Sequence, residues 1–590
     1  MLEIGRQEIP RRVNLFSWVK PKRPVPADRI FEAAERVDVD GTVIVPLDEE
    51  SVRAAARALR DRGVQAIAVC YLYSFANPAH EQRTAELIAE EYPEALVSIS
   101  SDVLPLVREY ERSMATVLNV YVMPAVSRYV ARLEERLAEE QVKAPLLIMK
   151  SNGGVVSAPE VRKAPAYTAL SGPAAGVVGA GFIGQSAGHG NVIGIDIGGT
   201  SADISLTKGG QFQLSESGQI GEWPLALPMI DINTVGTGGG SIAKIAATGA
   251  LTVGPQSAGA EPGPACYGKG GDQATVTDAH LVLGRLPASI LGGAMTLDVD
   301  AARAAVERNV AQPLGLSIEE AAKGILAISN NDMVGAIRVI SVEKGEDPRD
   351  YALIPFGGAG PLHGSEMARL LAMKTIIVPP SPGVLSAIGL LVSTLRADYA
   401  QTCVEAPPYD TTRIAETFAG LNSQADAWFE RENAPLAARA KTRSASLRYR
   451  NQGFELTVDW PEDMPTDAAA AGAVEQFHQL HEQLYTFAQR DTVVDIVNLR
   501  VAAVCELERP RLVERTSGGS LAEAKTGSHP VWFDEGPVET PVYDRARLAA
   551  DVTIDGPAIL TQLDATTIVL PGESAVTDRY GNVIISLPQS

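Results

Sequence analysis

The chain contains little cysteine, no excess of positive charge and no long apolar run. Its four cysteines are widely separated and form no Cys-x-x-Cys pair, which argues against a disulfide scaffold or a zinc ribbon and favours reduced thiols in the cytoplasm. A net charge of −21 argues against binding to nucleic acid or to anionic membranes. No run of 18 apolar residues occurs, and residues 1–12 hold no apolar core of a signal peptide, so we expect neither a membrane span nor secretion.

Length and patterning predict a large soluble protein of several segments. The 590 residues are 45% hydrophobic, enough to bury a sizeable core. Residues 41–112 alternate helix and strand, and 112–141 form one long helix. Residues 145–400 hold glycine turns after apolar strands, 171–184 among them, and a long helix over 318–345. Residues 402–590 are β-rich with one helix over 468–487.

The most informative motif lies at 191–206. The apolar run 192–197 is typical of a buried strand, and it is followed by Gly198, Gly199 and Thr200 before a second short strand. A glycine turn between strands lets backbone N–H groups approach an anion, and the acid Asp196 can hold a hydrated Mg²⁺. The alternative is a turn that merely joins two strands. The grouped acids, glycines and hydroxyl favour nucleotide-phosphate binding.

Two further glycine-rich turns follow apolar strands. The first, at 235–242, includes Gly238, Gly239 and Gly240, which can wrap an anion, allow close packing or form a flexible turn. The second, at 356–364, precedes a helix predicted over 365–371 and is therefore typical of a nucleotide site, with His363 as a phosphate or substrate contact. The alternative for His363 is a histidine satisfied by local backbone. No P-loop is identified, and no Gly-x-Gly-x-x-Gly paired with a downstream acid for a ribose, so a dehydrogenase is not predicted.

The stretch 261–280 carries a cysteine and an Asp–His pair. Cys266 is predicted to be a small buried hydrophobic side chain, since the sequence shows no neighbour that would activate its thiol. Asp278 and His280 are two residues apart and would share one face of a strand. A metal site would need further ligands there.

An ordered set of motifs resembles the hydantoinase A/5-oxoprolinase family along essentially the whole chain. They are Leu-Glu-Ile-Gly-Arg-Gln at 2–7, Ser-Asn-Gly-Gly at 151–154, Leu-Ser-Gly-Pro-Ala-Ala-Gly at 170–176, Asp-Ile-Gly-Gly-Thr at 196–200, Pro-Gly-Pro-Ala-Cys-Tyr-Gly at 262–268, Thr-Asp at 277–278, Phe-Gly-Gly-Ala-Gly-Pro at 356–361 and Pro-Gly at 382–383. Gln-Gly-Phe-Glu at 452–455, Asn-Leu-Arg at 498–500 and Gly-Pro-Ala at 556–558 resemble the family's C-terminal domain.

The resemblance implies an α/β fold with two lobes like those of actin, hexokinase and Hsp70, which share a ribonuclease H-like core. It implies an N-terminal domain remnant at 1–112, an ATPase-like domain at 113–400 and a β-rich C-terminal domain at 405–590. Family members begin about a hundred residues earlier and carry a first Asp-x-Gly-Gly-Thr loop there. This sequence has one such loop, at 196–200, so we expect a truncated first lobe. Asn233 stands where relatives often carry His.

By the same resemblance, ATP and Mg²⁺ are the expected cofactors. The family phosphorylates a carbonyl or enol oxygen, and its hydantoinases thereby activate a cyclic amide for attack by water, with a hydantoinase B partner in a homo- or hetero-oligomer. The alternatives are a ketone carboxylase subunit and an inactive scaffolding subunit.

The predicted site residues fall into three groups. Those with catalytic roles are Asp196, Asp203, Asp231 and His363, and Asp196 is also the metal ligand. Those expected against the phosphates are Gly198, Gly199, Thr200, Gly238, Gly239 and Gly240. Those expected against the nucleoside are Gly357, Gly358 and Gly360.

Overall fold

The structure is a computed structural model that describes Val19 and residues 22–215, 218–515 and 518–588. The family-like motif at 2–7 lies outside the described residues. The helices are α1 Glu49–Asp61, α2 Ala79–Glu91, α3 Ser100–Val103, α4 Glu109–Glu139, α5 Ala158–Lys163, α6 Ser171–Ser186, α7 Val276–Val282, α8 Val299–Val306, α9 Gln312–Leu314, α10 Ile318–Ile340, α11 Gly360–Leu370, α12 Leu385–Val392, α13 Thr411–Arg431, α14 Thr466–Tyr485 and α15 Leu521–Ala524.

The strands are mostly short. They are β1 Arg36–Val37, β2 Val43–Val45, β3 Ala66–Val69, β4 Leu96–Ile99, β5 Leu147–Met149, β6 Val155–Ser157, β7 Val192–Ile197, β8 Ala202–Lys208, β9 Gln211–Phe212, β10 Leu214–Ser215, β11 Gly218–Ile220, β12 Trp223–Leu225, β13 Met229–Ile230, β14 Ile232–Val235, β15 Ser241–Ile245, β16 Leu251–Ser257, β17 Ser289–Ile290, β18 Met295–Thr296, β19 Ala352–Phe356, β20 Thr375–Val378, β21 Leu395–Glu405, β22 Arg439–Tyr449, β23 Leu456–Asp459, β24 Val494–Cys505, β25 Lys525–Phe533, β26 Gly536–Asp544, β27 Thr553–Asp555, β28 Ala558–Thr561, β29 Thr566–Val569, β30 Ser574–Thr577 and β31 Val583–Ser586.

The chain divides into two units that are discontinuous in sequence. Unit 1 comprises Met1–Ser171, Leu214–Met229 and Thr394–Leu507, and unit 2 comprises Gly172–Gln213, Ile230–Ser393 and Glu508–Ser590. The β-rich segment 405–590 therefore contributes to both units. The contiguous division into 1–112, 113–400 and 405–590 stays a prediction, because these units are defined by contacts and not by sequence order.

Unit 1 is built on a six-stranded sheet in the order β23–β22–β24–β21–β6–β5, in which β21 and β6 run parallel and the other neighbours run antiparallel. Helix α13 covers this sheet with a buried apolar stripe that includes Phe418, Leu421 and Trp428. The prediction of one helix in the C-terminal region was wrong, since α13 precedes α14. A separate parallel pair, β3 and β4, packs against α1 and α2.

Unit 2 is built on a nine-stranded mixed sheet in the order β14–β8–β7–β19–β20–β31–β30–β27, with β9 beside β8. Strands β7, β19 and β20 run parallel and are almost completely buried. This burial on both faces explains their continuous apolar runs. Helix α10 is long and apolar enough to cross a bilayer, but more than half of its apolar window is buried inside the unit, as in the core helix of a globular fold.

Three local predictions in unit 2 were wrong. Residues 171–184 form helix α6 and not a glycine turn, because small residues let this helix pack closely on its neighbours. Asp278 and His280 lie in helix α7 and not on a strand, since Thr275 and Asp278 form a capping box that begins a helix. Helix α11 begins at Gly360, five residues before the predicted start.

Candidate functional site

Two carboxylates face each other at the end of the central strands. Asp196 on β7 is directly opposite Asp203 on the antiparallel β8, so both side chains lie on one face of the sheet. The Thr234 hydroxyl on β14 donates a hydrogen bond to Asp203 Oδ1 at 2.6 Å. Burial, with a further contribution from the negative charge of Asp203, raises the pKa of Asp196 to about 6. A cation at this pair would favour the ionised form of both groups.

The loop after β7 is joined to the triple-glycine loop by backbone hydrogen bonds. Gly239 N donates to the Gly198 carbonyl at 3.0 Å, and Gly240 N donates to the Gly199 carbonyl at 2.6 Å. A Cβ at Gly238 would lie 2.7 Å from the Gly198 carbonyl oxygen, closer than real Cβ atoms come. Close packing therefore explains Gly238, one of the alternatives that the sequence left open, and the two loops are joined to each other through their backbones.

The third glycine loop closes onto the same strand end. Ala359 N donates to the Ile197 carbonyl at 3.1 Å, and Gly357 N donates to the Pro382 carbonyl at 2.9 Å. Gly357 has a φ of +78°, and a Cβ there would come within 2.5 Å of the Ile197 carbonyl oxygen and collide with the Asp196 carboxylate. Glycine at 357 is therefore required for the loop to lie beside Asp196.

These loops line one cleft within unit 2, with a volume of about 770 Å³. Gly198, Gly199, Gly239 and Gly358 contribute bare backbone to its wall. The remainder of the wall is largely apolar, with a few polar groups such as Thr277 and Asp564. Exposed backbone at strand ends beside an apolar wall suits a ligand that has both a charged and a planar apolar part.

Comparison with known proteins identifies the chain. Residues 112–399 match the hydantoinase/oxoprolinase family, residues 1–92 match its N-terminal region, and residues 409–583 match its C-terminal domain. This chain belongs to the hydantoinase/oxoprolinase family. The resemblance expected from the motifs is thus confirmed. The family's N-terminal region is represented, and the truncated first lobe and missing first phosphate loop stay predictions.

Three members of the family show the range of activities among its relatives. The caprolactamase subunit alpha of Pseudomonas jessenii is 35% identical over 91% of this chain and 78% of its own length. The acetophenone carboxylase gamma subunit of Aromatoleum aromaticum is 32% identical over 98% of this chain and 82% of its own length. The 5-oxoprolinase 1 of Arabidopsis thaliana is 32% identical over the whole chain, which spans 48% of that relative.

The fold of this family member matches a solved structure. The crystal structure of the ATP-dependent caprolactamase from Pseudomonas jessenii superposes with a TM-score of 0.92 at 32% identity, over 100% of this chain and 86% of that one. The hydantoinase-family fold with mixed sheets is therefore shown. Its detailed likeness to actin, hexokinase and Hsp70 stays a prediction.

The structure brings some predicted site residues together and separates others. Asp231 lies before β14, at the opposite end of that strand from the glycine loops, and forms an ion pair with Lys344. Gly360 is buried against Pro355 at the start of α11 and is not part of the cleft wall. Asn233 is in β14, where its amide donates to the Ala336 carbonyl at 2.9 Å.

His363 is buried beside the cleft and has side-chain partners, not the local backbone partner considered from sequence. Its Nδ1 lies 2.6 Å from Asn330 Oδ1, and its Nε2 lies 3.2 Å from His280 Nε2. Burial, with the nearby Arg285 cation, lowers the pKa of His363 to about 3. The side chain is therefore neutral at physiological pH and cannot supply a positive charge to a phosphate.

The capping acid of α7 has a structural role. The Asp278 carboxylate accepts hydrogen bonds from the Cys266 and Ala265 amides at 2.8 and 3.2 Å and from the Thr275 hydroxyl at 2.7 Å. Cys266 is fully buried, and burial raises the pKa of its thiol above the usual value for cysteine. The prediction of Cys266 as a small buried hydrophobic side chain agrees with this environment.

Sequence reasoning missed several residues of the cleft. Thr277 anchors the triple-glycine loop, since both its amide and its hydroxyl donate to the Gly239 carbonyl at 2.8 Å. The Thr-x-x-Asp capping pattern at 275–278 could have predicted this helix start. Gln562 and Asp564 enter the wall from the C-terminal part of unit 2, and no pattern in the sequence places them there.

Proposed function

We propose that this chain is the ATP-using subunit of an enzyme that opens a cyclic amide of the 5-oxoproline, hydantoin or lactam type. The observation that carries the proposal is the meeting of three glycine loops in one cleft beside the Asp196–Asp203 pair. A hydantoinase B-type partner subunit completes the enzyme, and the cytoplasm is its location. Two relatives, the caprolactamase subunit alpha and the acetophenone carboxylase gamma subunit, are each named as one subunit of an enzyme, which supports a multi-subunit assembly.

The proposed reaction activates an unreactive carbonyl. The amide oxygen attacks the γ-phosphorus of ATP, the new O–P bond forms, and the bond to the nucleotide oxygen breaks. Water then adds to the activated carbon, the ring C–N bond breaks with a proton going to nitrogen, and a second water releases phosphate. The role of the protein is to position the two substrates and stabilise the charge.

The acidic pair suits a magnesium ion bound mainly through phosphate. Mg²⁺ prefers one or two carboxylates together with water and phosphate oxygens, and Asp196 with Asp203 supplies that donor set. Across residues 22–215, 218–515 and 518–588, no group of three or more His, Cys, Asp or Glu side chains is placed to hold a metal. When bound, the ion would neutralise phosphate charge, while Gly199 and Thr200 provide backbone N–H groups; the Gly198 N–H already donates to the Ser201 carbonyl at 3.1 Å.

Substrate-dependent ATP turnover tests the proposal. The purified chain, combined with a hydantoinase B-type partner, should hydrolyse ATP only when given 5-oxoproline, a hydantoin or caprolactam. We expect Asp196→Asn to abolish this turnover, because the amide cannot bind the cation as a carboxylate does. The matched control is Asp555→Asn, which alters an exposed carboxylate of the same unit outside the cleft wall and should retain full turnover.

The same assay separates the second candidate function. The likeness to the acetophenone carboxylase gamma subunit favours a ketone carboxylase subunit as the alternative. Turnover with acetophenone and bicarbonate, and none with any cyclic amide, would replace the first proposal with the second. Unchanged turnover in Asp196→Asn would refute the metal assignment in either case.

A further inference from the structure

Two exposed leucines lie in the turns of two β-hairpins and line the same cleft. Leu291 is 48% exposed between β17 and β18, and Leu563 is 67% exposed between β28 and β29. A Cβ at Gly292 would lie 3.3 Å from Leu563 Cδ1, so the Leu563 side chain lies against the bare backbone of the first turn. The two turns therefore form one continuous apolar surface, which we call the leucine surface (Leu291, Gly292 and Leu563).

The first hairpin is fixed by its strands and leaves Leu291 outside the core. Ile290 and Met295 pair across β17 and β18, and both pack against the buried cluster that includes α7 and α8. Leu291 follows directly, with a φ of +54°, a conformation that leucine rarely adopts. Residues held in such conformations occur preferentially at ligand sites. The core therefore holds this hairpin in place without covering the side chain of Leu291.

The turn of the second hairpin is held by its polar residues. The Gln562 side-chain amide donates to the Pro380 carbonyl at 3.0 Å. The Asp564 carboxylate accepts from the Gly383 amide at 2.8 Å. Leu563 lies between these two anchored residues and keeps most of its surface exposed. The turn is therefore fixed in place, while its apolar side chain remains available to a ligand.

The leucine surface lies beside the loop that is predicted to hold the nucleoside. A Cβ at Gly358 of that loop would lie 4.0 Å from the carbonyl oxygen of Asp564, the residue after Leu563. The Asp196–Asp203 pair is not part of the cleft wall, although the glycine turn that follows β7 is. A nucleotide whose terminal phosphate lies at the acidic pair would therefore place its remaining length inside the cleft, where the leucine surface is.

The chemistry of this surface suits one part of a nucleotide. Covering apolar surface with an apolar group is favourable in proportion to the area removed from water. The phosphates and the ribose are polar, whereas the face of the base is flat and largely apolar. A continuous exposed apolar patch on a soluble protein commonly marks a binding site. The base is therefore the part of the ligand that would gain most from lying on the two leucines.

We propose that the leucine surface is the base-binding subsite of the cleft, where one face of the nucleobase packs on Leu291 and Leu563. This inference rests on the proposed function, because it requires a nucleotide in the cleft. Contact with the face of a ring does not involve the hydrogen-bonding groups at its edge. The leucine surface therefore contributes affinity that depends on the area of the base.

Calorimetry with two ligands separates contacts to the base from contacts to the phosphates. The ligands are ATP and ribose 5′-triphosphate, which has the same ribose and phosphates and no base, each with Mg²⁺ and the full chain. We expect Leu291→Ala and Leu563→Ala each to bind ATP about five- to tenfold more weakly than wild type, because less apolar area is covered. Both variants should bind ribose 5′-triphosphate as wild type does.

The matched control is an equally exposed leucine of the same unit. Leu391 in α12 is 66% exposed and is not part of the cleft wall, so Leu391→Ala should bind both ligands as wild type does. Unchanged ATP affinity in both cleft variants would overturn the subsite and leave the proposed function intact. Equal weakening of the two ligands would place the contact on the ribose or phosphates and would also overturn it. Failure of ATP to bind the wild type would overturn both proposals.

A spectroscopic measurement detects the contact directly. In wild-type protein with ¹³C-labelled leucine methyl groups and bound ATP, nuclear Overhauser effects should connect the H2 or H8 proton of the base to the methyl groups of Leu563. Those methyl signals are assigned by their absence from the spectrum of Leu563→Ala. Overhauser effects from base protons only to other leucines would overturn the subsite, whatever the affinities of the variants.

Discussion

The glycines of helix α6 and the glycines of the cleft differ in what surrounds them. A Cβ at Gly179 in α6 would lie 2.7 Å from the Leu385 carbonyl oxygen, and one at Gly176 would lie 2.9 Å from the Phe356 ring. A Cβ at Gly199 would meet nothing within 4 Å, and one at Gly358 would meet only a single atom at 4.0 Å. The first set allows close packing, and the second leaves space that a ligand can occupy.

This contrast teaches that glycine content alone does not mark a binding site. Both sets lie in the same unit, and Gly176, Gly199 and Gly358 all lie in motifs by which the family is recognised. Only the surroundings of each glycine separate a packing role from a binding role. Substitutions in the two sets should therefore affect different measurements.

The largest effect on stability is expected from a larger side chain at one of the closely packed glycines of helix α6. Gly179→Val would force branched carbons against the backbone of α12, and we expect it to lower the free energy of unfolding by about 3 kcal/mol or more. Urea denaturation followed by circular dichroism measures this loss. ATP binding should fall only in proportion to the unfolded fraction.

The control for this variant lies in the same helix. A Cβ at Gly172 would meet nothing within 4 Å, so Gly172→Ala should be neutral or stabilise by up to about 1 kcal/mol. Equal destabilisation by the two variants would contradict the close approach of α6 to α12 as the cause, since Gly172→Ala places its methyl group in open space and alanine favours a helix more than glycine does.

The dependence of the free energy of unfolding on pH tests whether the cleft wall is also tightly packed. The pKa of His363 in the folded protein is about 3, below its ordinary 6.5. The unfolded chain therefore binds a proton that the folded chain does not, and stability present above pH 6.5 is lost as the pH falls. His363 alone should lower the free energy of unfolding by about 2–3 kcal/mol between pH 7 and pH 4.5.

Replacing the histidine isolates this contribution. His363→Gln cannot titrate, so its free energy of unfolding should fall less steeply between pH 7 and pH 4.5 than that of the wild type, whatever its stability at pH 7. Urea denaturation at several pH values gives both slopes. If the two slopes are parallel, His363 binds protons in the folded state as it does in the unfolded state. The cleft wall would then be less tightly packed than the surroundings of helix α6.

The smallest effect on stability, with a clear effect on binding, is expected from a substitution at one of the cleft glycines that have free space around them. Gly199→Ala adds a methyl group where no atom lies within 4 Å, so the free energy of unfolding should change by less than about 0.5 kcal/mol. The methyl group would occupy space beside the phosphates, and we expect ATP to bind at least about tenfold more weakly by calorimetry. Normal affinity in this variant would remove Gly199 from the site.

Much of the helical structure could be predicted because its periodicity is local. Helices α1 and α10 have both an N-terminal cap and apolar spacing that the sequence displays directly, and α2 has the apolar spacing. Helix α6 could not be found in this way, since it has no charged residue and is apolar or small on all sides. Its helical form depends on packing against α12, which sequence periodicity does not reveal. Helix α13 was missed although its apolar stripe is regular.

The site was predictable where it is made of strand ends. Asp196 lies near the end of β7 and each glycine loop follows a strand, and strands of one sheet bring such loops together. His280 was assigned to a strand face beside Asp278, so its place in the cleft wall was not anticipated. Asp231 was predicted to be catalytic, although it lies before β14, at the end of that strand away from the glycine loops. The position of Asp564 in the cleft wall was not predicted either, because it depends on contacts between segments of unit 2 that are far apart in the sequence.

The discontinuity of unit 1 has a consequence for synthesis on the ribosome. Strand β6 meets its parallel neighbour through Val155 and Leu395, so this edge has no partner until the later strand emerges. At about 5–20 residues per second, the wait is on the order of tens of seconds. An exposed strand edge is a template for pairing with another chain during that time. The nascent protein should therefore be most prone to aggregate before residue 405 leaves the exit tunnel.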